Sequence, residues 1–236
     1  ELLSGRMESS IDFLKNSENA YNAFIYANKS LSKQYAWSNI DLVWRPFQLG
    51  FVLLSLESTL RDDSTSRDDV DLLWFPTGGG KTEAYLFLSS ILLFYRKLEL
   101  GSLNARDGLA VFTRYTLRGL TLDQFKRLSS TVLACELIRR IELKNNDEKP
   151  DPTSSFSLGM WVGQAATPNT IAEAENPSNQ TTFEILKQCP CCQQKLHYKG
   201  KDNEFLPFVF DEENICEIST HIDLYPIQVI DEIIYK

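Results

Sequence analysis

An α/β fold, with a parallel sheet covered by helices on both faces, is what this sequence predicts, and three observations lead there. Short apolar runs of strand character, at residues 70–75, 108–113 and 157–162, alternate with longer stretches whose apolar residues recur at helical spacing. The first of these runs passes into Pro76-Thr77-Gly78-Gly79-Gly80-Lys81-Thr82 and then into a helical pattern over residues 83–98. After residue 169 the character changes, from a polar stretch to a segment that carries most of the cysteines.

Each element has its own warrant. Between residues 10 and 35, Ile11, Phe13, Leu14, Tyr21, Phe24, Ile25 and Leu31 recur as on one face of one or two amphipathic helices. A further helix is expected over residues 46–60, with Pro46 in the first turn, where its missing N–H is no loss. The charged stretch 61–69 reads as a loop leading to the first strand. Beyond a helix ending near residue 100 come a loop at 101–107, the strand at 108–113 and a long helix over 117–143. Residues 145–155, rich in Asp, Pro, Lys and Ser, form a linker to the strand at 157–162. No internal repeat is present.

This alternation is the pattern of a RecA-like P-loop NTPase domain with an N-terminal helical extension and a small cysteine-rich, zinc-ribbon-like insertion. The expected divisions are a helical segment at 1–69, a first motor domain, in part, at 70–168, the insertion at 169–224, and the start of a further, truncated core strand at 225–236.

The chemistry centres on Trp74 to Thr82. Three successive glycines, Gly78, Gly79 and Gly80, let the backbone turn its N–H groups inward as an anion nest, with Thr77 at its entrance. The helix that starts there aims its positive dipole end at the same point. Lys81 would reach the β- and γ-phosphates of ATP, and Thr82 would offer a hydroxyl to Mg²⁺. The bland alternative is a glycine-rich turn between strand and helix. Against the general pattern G-x-x-x-x-G-K-[ST], Phe75 takes the place of the first glycine. The shorter form found here resembles that of superfamily-two helicases, which narrows the class toward nucleic-acid motors.

Bulk properties set bounds. With 236 residues, 43% of them hydrophobic, the chain can bury a sizeable core. No run approaches the roughly 20 uncharged apolar residues that span a bilayer, and residues 1–4 lack the regions of a signal peptide, so a cytoplasmic protein without a membrane partner is expected. It begins without Met and stops inside an apolar segment, as a piece of a longer protein would. The formal charge of -8 argues against a surface given over wholly to phosphate backbones. Basic residues nonetheless cluster locally, at Arg114, Arg118, Lys126, Arg127, Arg139 and Arg140.

Several islands, taken together, resemble the large helicase component of the DISARM anti-phage defence system. They are residues 24–31 (FIYANKSL), 44–51 (WRPFQLGF), 72–86 (LLWFPTGGGKTEAYL), 114–127 (RYTLRGLTLDQFKR), 134–140 (ACELIRR) and 159–169 (GMWVGQAATPN), in the same order over nearly the whole chain. One departure is Gly119, where that family usually has an apolar residue. Another is length: the family's protein is several times longer and has a second RecA-like domain, which would supply an arginine finger.

The resemblance implies roles for particular residues. Gln48 precedes the phosphate loop as does a glutamine whose amide both donates to and accepts from adenine, with Phe47 or Trp44 as a stacking face. The competing reading is that residues 45–48 merely start a helix. Thr116, Arg118 and Gln124 stand where such motors touch the backbone of a DNA strand without reading its sequence. Lys126 and Arg127 read better as a solvated helix face.

Cys189-x-x-Cys192 has knuckle spacing, and Cys216 with His221 follows at a distance suited to a second knuckle, so these four would make a Cys₃His site for Zn²⁺. Cys191 could replace Cys189, and His197 is a second histidine candidate; the alternative is free thiols in a polar insertion. The resembling helicases commonly end the second knuckle in Cys rather than His. Cys135, in an apolar helical stretch, reads as core packing.

Residues 227–232 end in Asp231-Glu232 and look like a Walker B strand. The resemblance implies instead a structural strand followed by a tyrosine, here Tyr235, with the true Asp-Glu box further on. The function expected is the ATP-binding half of an ATP-dependent DNA helicase or translocase of phage defence, acting on a single strand or duplex end beside other subunits of the system. A rival reading is a nucleotide-gated, zinc-bearing binding module that moves no strand, and a third is an inert remnant.

Overall fold

The computed structural model describes residues 2–76, 78–104, 108–114, 118–143, 155–159, 188, 189, 191, 193, 197–201 and 204–209. In chain order these hold α1 (Leu2–Asn16), α2 (Glu18–Ala36), α3 (Pro46–Leu60), α4 (Lys81–Asn104), α5 (Arg118–Glu142), β1 (His197–Lys201) and β2 (Glu204–Val209). The chain divides into two compact units, residues 1–113 with 134–156, and residues 114–133 with 157–236.

In the first unit α2 and α3 pack on α4, and α1 packs on α3 and on α2. The expected helical stretch over residues 10–35 is split in two because Ser17 leaves the helical region (φ -118°, ψ 108°) and caps α2, its hydroxyl accepting from the Ala20 N–H at 3.2 Å. Ala20, Ala23, Ala27 and Leu31 then form a fully buried stripe along α2. Small side chains on that face let α4 approach, and α4 presents Ala84, Phe87, Ile91 and Phe94, also fully buried. Rings lock the contact. Phe24 meets Phe87 edge-on with centroids 5.0 Å apart, Tyr26 meets Phe94 at 5.6 Å, and Trp44 stacks on Phe87 at 4.5 Å. Such pairs contribute about 0.5–1.5 kcal/mol each beyond their buried area.

The C-terminal part of α5 adds buried Ala134, Cys135, Leu137 and Ile138 to this unit. Cys135 donates its S–H to the Ser90 hydroxyl at 3.4 Å, and burial pushes its thiol up to about 11. Arg139 and Arg140, which the sequence places in a basic cluster, are buried too. Both turn to Glu136, Arg139 with bonds of 2.8 and 2.6 Å and Arg140 with one of 2.8 Å, while the Phe156 N–H adds a fourth at 3.1 Å. Burial acts to raise the Glu136 carboxyl, but the two guanidinium groups outweigh it and hold the carboxyl below its usual range.

The parallel sheet predicted from the sequence is not what these residues form. Among the described residues the strands are β1 and β2, paired antiparallel, and the architecture is otherwise helical. Residues 70–75 and 108–113 join no ladder, and neither do residues 157–159; residues 160–162 lie outside the described set. An apolar run with strand character becomes a strand only where a second strand takes up its N–H and C=O groups, and no such partner lies beside these runs among the described residues. Their apolar side chains consequently stand in solvent: Val70 is 94% exposed, Leu72 83% and Trp74 88%. The expected RecA-like core is therefore corrected to a helical unit carrying two unladdered apolar segments.

In the second unit the hairpin pairs His197 with Val209, Lys199 with Leu206, Gly200 with Phe205 and Lys201 with Glu204, with an irregularity between His197 and Lys199. No helix among the described residues is long and apolar enough to cross a membrane.

Candidate functional site

The glycine loop meets the N-terminus of α4 directly, since the helix begins at Lys81. Gly78 and Gly80 have φ of 78° and 93°, the left-handed region that side chains disfavour. The Gly79 N–H donates to the Pro76 carbonyl at 3.2 Å, closing a tight turn. A methyl group on Gly79 would lie 2.7 Å from the Phe75 ring, and one on Gly80 would lie 2.7 Å from Nε2 of Gln48. Gly79 is closed off by the Phe75 ring and by the Pro76 carbonyl at 3.0 Å, and Gly80 by its left-handed φ together with the Gln48 amide.

Those neighbours come from the start of α3. Arg45 donates to the Gly79 carbonyl at 2.6 Å, and Gln48 Nε2 donates to the Gly80 carbonyl at 2.7 Å. Gln48 Oε1 also accepts from the Arg45 N–H at 2.8 Å, the reach-back of a third-position glutamine toward the cap residue. Phe47 stacks on Phe75, centroids 3.9 Å apart and planes 13° from parallel. Lys81 curls over its own loop, its ammonium donating to the carbonyls of Phe75 and, at 3.3 Å, of Pro76. Thr82 is half-buried in the first turn of α4. Glu83, in the same turn, accepts from the Tyr35 hydroxyl at 3.1 Å.

Just upstream, Arg6 grips Asp71 with bonds of 2.8 and 3.0 Å, and the Ser55 hydroxyl donates to the same carboxylate at 2.7 Å. Partial burial acts to raise the Asp71 carboxyl; the bonds from Arg6 and Ser55 and the Arg6 charge overcome it and leave it lower than usual.

The structure thus brings together Gln48, Gly78, Gly79, Gly80, Lys81 and Thr82. Thr77 lies outside the described residues, as do Thr116 and, of the metal set, Cys192, Cys216 and His221, together with Asp231, Glu232 and Tyr235. Arg118 is the first residue of α5, and Gln124 is half-buried on that helix near exposed Lys126. Cys189 is buried and Cys191 half-buried; the Gln193 N–H closes a turn on the Cys189 carbonyl at 2.9 Å, and His197 opens β1. The described residues contain no cluster of His, Cys, Asp and Glu able to hold a metal ion. Trp44, considered as a stacking face, is committed to Phe87 and donates its ring N–H to Asn28 at 2.7 Å. Sequence reasoning missed Arg45 as a loop ligand. Its one signal was the adjacency of Arg45-Pro46, a pair that fixes a cap residue beside the start of a helix.

Comparison with known proteins adds a relative. The DISARM protein DrmA of Bacillus paralicheniformis is 37% identical over 275 residues, an alignment that takes in 98% of this chain and 23% of that protein. The chain is similar to DrmA. It spans under a quarter of that protein's length, and the likeness supports a component of a DISARM system. No family model and no solved structure matches the chain.

Proposed function

We propose that this chain carries the ATP-binding loop of a DNA helicase or translocase in a DISARM anti-phage system. The observation that carries the reading is the loop itself, with Gly78 and Gly80 in the left-handed region and their chain delivered to the first turn of a long helix beginning at Lys81. Backbone N–H groups at a helix start, with a lysine ammonium beside them, match a triphosphate in charge and geometry. On ATP arrival Lys81 would exchange the carbonyls of Phe75 and Pro76 for phosphate oxygens, and Thr82 would stand in the first turn as a hydroxyl ligand to Mg²⁺. The likeness to DrmA supports the defence setting, with other subunits of the system as partners.

Thr116, Arg118 and Gln124 are the proposed contacts to DNA, and Cys189, Cys192, Cys216 and His221 a proposed Zn²⁺ site. The test uses the full-length protein with Lys81→Ala. Loss of DNA-stimulated ATP hydrolysis and of strand movement is the expected result. Loss of partner binding alone, with no strand movement by the unaltered protein, would instead favour a nucleotide-gated binding module.

A further inference from the structure

We infer that Arg45 and Gln48 are positioning residues for the phosphate-binding loop, which turn the N–H groups of Gly80 and Lys81 toward the anion; this rests on the ATP-loop reading above. The argument starts from peptide geometry. A trans peptide is planar, so a carbonyl and the N–H of the next residue point in opposite directions. Arg45 fixes the Gly79 carbonyl, and thereby the direction of the Gly80 N–H. Gln48 fixes the Gly80 carbonyl, and thereby the direction of the Lys81 N–H. Two side chains from one helix start therefore aim two successive amides at a common side of the loop.

The alternative use of Gln48, reading adenine, competes for the same atoms. Gln48 is 4% exposed, with its amide oxygen taken by the Arg45 N–H and its amide nitrogen donating to Gly80. Turning that amide outward to a base would leave the Gly80 carbonyl and the Arg45 N–H without these bonds. Gly80 suits the same purpose, since a Cβ there would lie 2.7 Å from the Gln48 nitrogen and press it away from its bond. Discrimination between bases would then come from elsewhere, and the contribution of Gln48 would be to the grip on phosphate.

Titration calorimetry of the full-length protein with Mg²⁺ and ATP, GTP or inorganic tripolyphosphate separates the two. Loss of the paired bonds in Gln48→Ala is expected to weaken all three ligands by a common factor of about ten. Arg45→Met is expected to weaken all three about fivefold, and Arg45→Lys, whose ammonium still reaches a carbonyl, to recover most of that loss. Circular dichroism melts identify any variant that fails to fold; the Arg45 pair decides the matter alone if Gln48→Ala is lost. Weaker ATP with unchanged GTP and tripolyphosphate overturns the inference in favour of base reading. Unchanged binding of all three in the Arg45 and Gln48 variants overturns it outright. If the unaltered full-length protein binds none of the three ligands, the loop is no phosphate site, and both readings fall together.

Discussion

The glycine loop and the residues 70–75 that lead into it are neighbours in sequence but live under different constraints. In the loop, the carbonyls of Phe75, Pro76, Gly79 and Gly80 each accept a side-chain donor, from Lys81, Arg45 or Gln48. In the lead-in, Asp71 is fixed by Arg6 and Ser55 while Val70, Leu72 and Trp74 face water. The loop draws its donors from the start of α3, 34 and 32 residues earlier in the chain, and from its own lysine. The lead-in has the composition of a buried strand, and a strand is completed only by a partner from elsewhere in the chain or beyond it. The two stretches differ in what finds a partner: the loop's carbonyls meet side-chain donors, whereas the lead-in's apolar side chains face solvent.

Four measurements break or sharpen that contrast. Lys81→Ala removes a charged hydrogen-bond donor and is expected to weaken ATP binding by roughly ten- to a hundredfold in calorimetry, with little change in urea-unfolding midpoint. An unchanged affinity would mean that the loop's order has nothing to do with phosphate. Asp71→Ala leaves Arg6 without its bidentate partner and is expected to lower unfolding stability by about 1–3 kcal/mol in urea titration. No loss there would show that the lead-in is anchored by something other than this carboxylate. Gly80→Ala places a methyl group against Gln48 at a left-handed φ, with an expected loss of about 1–2 kcal/mol by the same titration. Leu72→Ser and Trp74→Ser should fall within about 0.5 kcal/mol, because both side chains are already in solvent. A larger loss in either would mean that the lead-in is covered in solution.

Acid provides a further lever, on the ties rather than the loop. Asp71 and Glu136 both titrate below their ordinary values in the folded chain. Their contribution to stability is therefore complete above the unfolded carboxyl range, about pH 4, and declines as pH falls through the lowered folded values. Urea midpoints for the unaltered chain should hold between pH 7 and 5 and drop toward pH 3. Asp71→Ala should flatten part of that drop.

How much of this could be read from the sequence depends on how local each signal is. The helices were legible because a 3.6-residue period is written within a single segment: α3 begins at Pro46 as expected, and the glycine triplet does lead into a helix. The split at Ser17 was foreshadowed only as one helix or two, since a serine cap is one residue deep. The sheet was misread because composition reports a strand's taste for burial and says nothing about whether a second strand is present. Arg139 and Arg140 were counted in a basic cluster although Glu136, at three and four residues' distance, already marked them as partners on one helix face. At the candidate site, the glycines are singled out by motif and Gln48 by the family resemblance, whereas Arg45 becomes visible only when the loop folds back on the α3 start.

The seat of Cys135 gives the helical unit a built-in clock. With its thiol at about 11 and no exposed surface, only about one molecule in a thousand would carry the reactive thiolate at pH 8 even if reagent could reach it. Alkylation of that sulfur therefore counts the moments when α5 parts from α4, and its rate reads the breathing of the packed helices one opening at a time.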